Sequence, residues 1–437
     1  MNTMKYKIGL ILLFVFYSGL AQQTKSITKD EVLTKVKERN NTLKMARQDV
    51  LSAKGDFNQT NAILLPNISV SHTGIATTNP LMAFGSKLNQ EILTAADFNP
   101  DLLNDPSQIE DFATRVEVQQ PLINFDGIYQ RKAAKAKLTA TELQSGRTED
   151  YLALEVEKAY MQLQLAYKTV KVLEKAQETA LENKRIADNS YKQGYLQKSD
   201  VLSVEVRVTE IENQLQYAKS NILNASNYLS VLMNADENEI LKPSDSLAIT
   251  NDATATVVNL SENRKDILAM NSATEAYRQM HKADQMAFLP RLNAFGTYEL
   301  HDDEIFQGQA QGYLFGAELK WNLFEGSKRF GKSQKSKAEY DKSKLQLEQY
   351  KSESQLELNK AKRGYEDAKN KLKLTKLALE QSEESLRIRT NRFKQGLEKT
   401  TDLLMSETQY SQKQLEYYAT IFQHNYALAY VQFLTKE

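Results

Sequence analysis

Two aspartates stand at matching places in two copies of one short turn. The first copy reads Tyr191-Lys192-Gln193-Gly194-Tyr195, followed by Asp200-Val201-Leu202 and Glu205; the second reads Phe393-Lys394-Gln395-Gly396-Leu397, followed by Asp402-Leu403-Leu404 and Glu407. An offset of 202 residues (393 minus 191) lays aromatic on aromatic, Lys-Gln-Gly on Lys-Gln-Gly, Asp on Asp and Glu on Glu. Gly at such a point supplies the φ > 0 conformation that ends a helix. The Asp that follows can cap the next one. A second acidic group, His301-Asp302-Asp303-Glu304, places an imidazole beside three carboxylates, a donor set for a metal. The competing and preferred reading is a solvated loop. The four histidines, His72, His281, His301 and His424, lack ligand spacing such as His-x-x-x-His. No Ser-His-Asp pattern or phosphate-cradling Gly loop is present. The absence of cysteine removes disulfides, thiolate metal sites and cysteine nucleophiles. No enzyme, cofactor or metal site is expected.

The elements that must carry these turns are helices. The chain has 437 residues, 26% of them charged, with a formal net charge of +0, so no electrostatic case for nucleic acid arises. Proline is absent between residues 122 and 242 and after 290, which leaves both spans free to be long helices. Leu152, Val156, Ala159, Leu163, Ala166, Val170 and Leu173 alternate four- and three-residue steps, and the seam continues through Ala180, Ala187 and Tyr191. The second half repeats it at Leu358, Ala361, Tyr365, Ala368, Leu372, Leu379, Leu386 and Phe393. This is a heptad pattern. Each long helix should run roughly 65 residues, near 100 Å. Companion helices are expected over about 199–233 and 401–434.

Four segments have period two instead. Ile68, Val70 and His72 alternate with Ser69, Ser71 and Thr73. Phe112, Thr114, Val116 and Val118 alternate with Ala113, Arg115, Glu117 and Gln119. Leu292 to Leu300 and Tyr313 to Leu323 alternate in the same way. A half-buried soluble sheet gives such a pattern. Lengths near ten residues, with aromatics on one face and Glu or Lys on the other, also fit a transmembrane barrel with a wet lumen. Two strands per half are too few to close one, so a barrel requires several chains. Residues 1–21 read as a signal segment, with Lys5 and Lys7, an apolar core from Ile8 to Leu20, and Gly19-Leu20-Ala21 as the cleavage site. No later window is apolar enough for a transmembrane helix, so any crossing must use strands. The first repeat is 22–234, with strands about 67–75 and 112–122 and a hairpin tip about 191–200; residues 235–259 link it to the second. That second repeat is 260–437, with strands about 291–300 and 311–323 and a tip about 393–402. Between the first two strands lies a long loop, 76–111, with a short helix expected around 81–90.

The duplicated helix-strand-strand-helix order, the aromatic-x-x-Gly turns followed by Asp, the Leu65-Pro66 and Leu289-Pro290 strand starts and the run Pro121-Leu122-Ile123-Asn124-Phe125-Asp126-Gly127 resemble the TolC-like outer-membrane factor (outer membrane efflux protein) family. The resemblance spans essentially the whole chain after residue 21. It implies a mainly α fold with a small transmembrane β part. The protein would be a homotrimer with four strands per protomer, its barrel in the outer membrane and its coiled-coil helices in the periplasm. It would be a passive exit duct of a tripartite efflux or type I secretion system, coupled to a periplasmic adaptor (membrane fusion) protein and an inner-membrane pump. Tyr191, Gly194, Tyr195, Phe393, Gly396 and Leu397 would form the tip that meets the adaptor. Asp200 and Asp402 would ring the pore entrance, where repeated carboxylates favour cations. Where a second acid follows in the known pattern this chain has Met405, with Ser203 in the first half.

Some residues allow two readings. The basic clusters Arg131, Lys132, Lys135 and Lys137, and Lys328, Arg329, Lys332, Lys335 and Lys337, follow strands and suit either outer-membrane lipid headgroups or a solvated helix face. Tyr417, Tyr418, Phe422, His424, Tyr426, Tyr430 and Phe433 on the last helix read as packing. A periplasmic coiled-coil adaptor or scaffold is the alternative function. Adaptors need compact β-domains flanking one hairpin, whereas this chain has two hairpins and four lone strands.

Overall fold

A computed structural model describes residues 24–235, 239–250 and 259–437. The signal segment and part of the 235–259 linker lie outside the described residues. In chain order the elements are β1 (Thr24–Ile27), α1 (Lys29–Arg39), α2 (Asn41–Gln59), β2 (Asn67–Thr77), α3 (Pro80–Asn89), α4 (Pro100–Asn104), β3 (Ile109–Ile123), α5 (Phe125–Lys192), α6 (Lys198–Met233), β4 (Ile240–Pro243), α7 (Lys265–Met286), β5 (Arg291–Asp302), β6 (Ala310–Lys320), α8 (Lys328–Lys394) and α9 (Thr400–Thr435). Among the described residues no helix is long and apolar enough to cross a membrane. Helix α5 runs 68 residues and α8 67, each about 100 Å at 1.5 Å per residue.

The chain divides into two compact units that cut across its halves. The first takes residues 1–41, 150–258 and 359–434, the second 42–149, 259–358 and 435–437.

In the first unit the heptad seam of α5 is buried at Leu152, Val156, Ala159, Leu163, Ala166, Val170, Leu173, Ala180 and Ala187. The small residues on one row let neighbouring helices approach closely. On α8, Tyr365, Leu372 and Phe393 are buried, while Ala361, Ala368, Leu379 and Leu386 are only half-buried; Leu358, the last α8 residue of the second unit, is buried as well. Met161, Leu247, Leu372 and Ile421 form one core cluster, with Tyr417, Tyr418, Phe422 and Tyr426 packed on it. The α9 aromatics stack as a ladder, Phe422 on Tyr426, Tyr426 on Tyr430 and Tyr430 on Phe433, at 6.2–6.3 Å between ring centres. Their predicted packing role matches this geometry. Strands β1 and β4 pair in parallel, Thr24 opposite Ile240 and Ile27 opposite Pro243. Tyr160 and Tyr167 of α5 donate their hydroxyls to the carbonyls of Ile27 and Leu241, each at 3.1 Å. This small sheet is absent from the sequence reading.

In the second unit β2, β3, β5 and β6 form an antiparallel sheet in that order. Register puts Val70, Val116, Tyr298 and Tyr313 in one row across the four strands, and Ser71, Arg115, Glu299 and Gly312 in the next. One face is therefore apolar and aromatic and the other polar, because side chains alternate along a strand. Arg115 Nε lies 2.7 Å from Glu299 on the polar face. On the apolar face Val70, Tyr313, Phe315 and Leu319 are all exposed in the single chain, Phe315 by 77%.

At one end of this sheet the expected short helix is α3. Its neighbour Gln90 donates Nε2 to the Glu110 carbonyl at 2.7 Å and to Asp111 Oδ1 at 3.1 Å. His301, read from sequence as part of a solvated loop, belongs instead to β5 and is buried, with Nδ1 3.1 Å from Asp111 Oδ1. The strand runs further than the pattern implied because Asp302 Oδ2 accepts from Gln309 N at 2.9 Å and Oδ1 from Glu304 N at 3.0 Å, tying the turn shut. At the other end Arg291 of β5 grips Asp126 in the first turn of α5 through Nε and Nη2, where a carboxylate also suits the helix dipole.

Deeper in this unit lies a charged core. Asp266 of α7 takes Arg264 Nε at 2.6 Å, Arg147 Nε at 3.1 Å and the Tyr350 hydroxyl at 2.8 Å. Burial pushes the Asp266 carboxyl up, but the hydrogen bonds from Arg264 and Tyr350 and the charge of Arg147 outweigh it and hold it below the usual carboxylate range. A buried carboxylate stays ionised only when paired this fully.

Candidate functional site

The two repeated turns fold alike. Gly194 N donates to Tyr191 O and Tyr195 N to Ser190 O, both at 2.9 Å; Gly396 N donates to Phe393 O and Leu397 N to Arg392 O, again at 2.9 Å. This pair of bonds, spanning six and four residues, is the Schellman ending of a helix, with glycine in the left-handed position. Gly194 has φ +81° and Gly396 φ +73°. The residues after the glycines are exposed, Tyr195 by 79% and Leu397 by 63%. Tyr191 is also exposed, while Phe393 is buried.

The turns differ in what braces them. In the second, Glu398 receives Arg389 Nη1 and Arg392 Nε, each at 2.7 Å. At an offset of 202 the first turn has Leu196, Ala187 and Ser190 in those places, so it has no such brace. The difference is legible in the sequence, where the two copies part at these three positions. Asp200 Oδ2 accepts from the backbone N of Gln197 at 3.1 Å, which makes it a helix-start residue of α6. Asp402, half-buried in the first turn of α9, donates its backbone N–H to the Lys399 carbonyl at 3.2 Å. Each aspartate thus stays with its own hairpin.

The sheet offers the second functional surface. Among the described residues its outer members β2 and β6 each have a neighbour on one side only. The exposed apolar row continues past β6 into Trp321 and Leu323. Trp321 Nε1 donates to the Phe288 carbonyl at 3.0 Å, and the Arg329 guanidinium sits 5.0 Å over the Phe288 ring. A band of aromatics and basic groups at the end of an apolar face is how strands meet a membrane boundary. Among the described residues no group of three or more His, Asp or Glu stands ready to hold a metal.

A family model described as outer membrane efflux protein matches residues 32–235 and 256–427. The chain belongs to the outer membrane efflux protein family. Members are channels and not enzymes, and they sit in the outer membrane with a helical periplasmic part. No curated protein matches the sequence. Solved structures do match in fold. A membrane protein from Pseudomonas aeruginosa is similar at 16% identity, over 93% of each chain, with a TM-score of 0.80. The outer membrane protein VceC from Vibrio cholerae is similar at 17% identity, over 93% of this chain and 96% of that one, with a TM-score of 0.79. The CmeC outer membrane channel of Campylobacter jejuni is similar at 16% identity, over 100% of this chain and 93% of that one, with a TM-score of 0.76. The expected mainly α fold with a small β part is thereby the fold of this efflux protein.

Proposed function

We propose that three copies of this efflux channel close their sheets edge to edge, giving twelve strands, and form the passive outer-membrane duct of a tripartite efflux or type I secretion system. The observation that carries the reading is a sheet of four strands with an exposed apolar face and two open edges. Unpaired backbone groups at an edge cannot be left in hydrocarbon, so β6 of one chain must pair with β2 of the next. The two halves, 22–234 and 260–437, act as repeats joined by 235–259. Their tips, at Tyr191, Gly194 and Tyr195 and at Phe393, Gly396 and Leu397, meet a periplasmic adaptor, with the buried Phe393 holding its turn from within. The driving force belongs to an inner-membrane pump, and outer-membrane lipid meets the exposed apolar face of the sheet. A lone periplasmic adaptor or scaffold has no use for an exposed apolar sheet face of this width.

The first test is the native mass of the protein extracted in detergent from fractionated outer membranes. A heat-dissociable trimer is expected; a water-soluble monomer would sink the reading. Asp200 and Asp402, three of each in such a trimer, ring the entrance in this reading. The double variant Asp200→Asn, Asp402→Asn is expected to weaken block of the pore by divalent cations several-fold in a planar bilayer. Unchanged block would leave both as helix-start residues alone.

A further inference from the structure

The turn repeat ends on a glutamate in each half, and the two glutamates have opposite surroundings. Glu205 of α6 is half-exposed and pairs with Lys184 of α5 at 3.2 Å. An offset of 202 turns Lys184 into Leu386, so Glu407 of α9 has lost the cation its repeat mate keeps. Glu407 is 5% exposed, and its carboxylate accepts instead from the side-chain amide of Asn183 on α5. It lines a cavity of about 40 Å³ together with Lys175 and Thr179 of α5, Arg207 of α6, Leu386 of α8 and Tyr410 of its own helix. That space suffices for a water molecule or two. Arg207 is buried as well. Its Nη1 goes to Glu210 at 3.3 Å, and its Nε is buried with no hydrogen-bond partner. The guanidinium draws the Glu407 carboxyl down through space but forms no direct ion pair with it.

We propose that Glu407 is a proton-binding gating residue of the channel. When it takes up a proton the ends of α5, α6, α8 and α9 lock together; when it loses one they loosen. The inference rests on the channel reading above. Glu407 lies seven residues into α9, about 10 Å from the turn, where any widening of the tip must part these helices. The charged and titratable groups that face it are Lys175, Arg207 and Tyr410. Lys175 is turned outward to Glu178 at 2.7 Å, α8 presents Leu386, and Glu383 of α8 acts on Tyr410.

Burial pushes the Glu407 carboxyl up to about 7, against the opposing pull of Arg207. The sign follows. Packed helices hold the proton more tightly than parted ones, so packing is strongest below the ordinary glutamate value of about 4.5 and weakens as pH rises to about 7. Above that value the loss is complete and the profile is flat. If parted helices return the group to its ordinary value, the closed-to-open ratio falls on the order of a hundredfold across this window.

The test is single-channel recording in a planar bilayer, with the pH on the tip side stepped from about 5 to 8.5. Wild-type open probability should rise with a midpoint below or near 7. Glu407→Gln should stay at the closed level throughout, since the amide mimics the protonated acid. Asp200→Asn, Asp402→Asn should keep the wild-type midpoint. A Gln variant that titrates like the wild type, one that stays open, or a wild type flat with pH would each overturn the proposal. Should Glu407→Gln yield no trimer, Asn183→Ala decides: it removes a donor to the carboxylate and should raise the midpoint, and an unmoved midpoint would overturn the idea. A wild type that conducts at no pH would sink the channel reading itself.

Discussion

Asp266→Ala should lower the thermal unfolding midpoint of the purified protein by about 10 °C, at roughly 2–4 °C per kcal/mol for a unit of this size. The variant leaves the Arg147 and Arg264 guanidinium groups in the helical core without their shared carboxylate. Removing one member of a buried ion group costs about 3–5 kcal/mol. The Tyr350 hydroxyl loses the carboxylate it donates to at 2.8 Å, while Arg264 Nη2 keeps its bond to Ser354 Oγ at 2.8 Å. Asp266→Asn, which has the right shape and no charge, should lose most of the same stability. A single variant within 2 °C of wild type would show that the network contributes little. The pH dependence has a definite sign. The Asp266 carboxyl is held low by its partners, so its contribution is present above the ordinary aspartate value of about 3.9 and is lost as pH falls below it.

Gly194→Val and Gly396→Val together should abolish export while the protein still reaches the outer membrane. An added Cβ at either glycine meets nothing within 4 Å, so crowding is not the difficulty. The backbone is. Left-handed conformation costs an L-residue roughly 1–2 kcal/mol, and a β-branched one at the upper end. Each turn relieves that strain by giving up its Schellman bonds, which turns Tyr195 and Leu397 away from where an adaptor would meet them. Asn in place of each glycine is the control, because it tolerates this region and should retain most of the export. Export measured as cargo accumulation in cells carrying the Val pair decides the matter. Normal export would remove the turns from the adaptor contact.

Periodic features were legible in advance because local chemistry dictates them. Every α5 position named from the heptad pattern down to Ala187 is buried, and Tyr191, where the helix gives way to the turn, is not. The four long strands start within three residues of where alternation placed them, though β6 ends at Lys320, short of the expected Leu323, and Pro80 stands at the start of α3 as proline permits. What escaped was pairing over distance. Strands β1 and β4 are four residues each and too short for a period, and Pro243 at the end of the second argues against a strand. Asp266, Arg147 and Arg264 are ordinary surface residues by type, and only tertiary contact makes them a core. His301 was misplaced for the same reason, since its partner Asp111 stands 190 residues away. Glu407 was visible as a repeat mate of Glu205. Its burial lay in Leu386, a position that reads simply as part of the seam.

The pairing of β1 with β4 also sets a timetable. Synthesis proceeds from the N-terminus, so Thr24 waits for Ile240 before its strand can form. The first unit needs still more, since its last portion begins at residue 359. Segments that emerge early therefore have no finished surface to join until most of the chain has arrived. Closing such long loops is slow, and meanwhile apolar strands such as β2 are exposed to water. A holding chaperone in the periplasm, acting on the first 240 residues or so, has a window set by the topology itself.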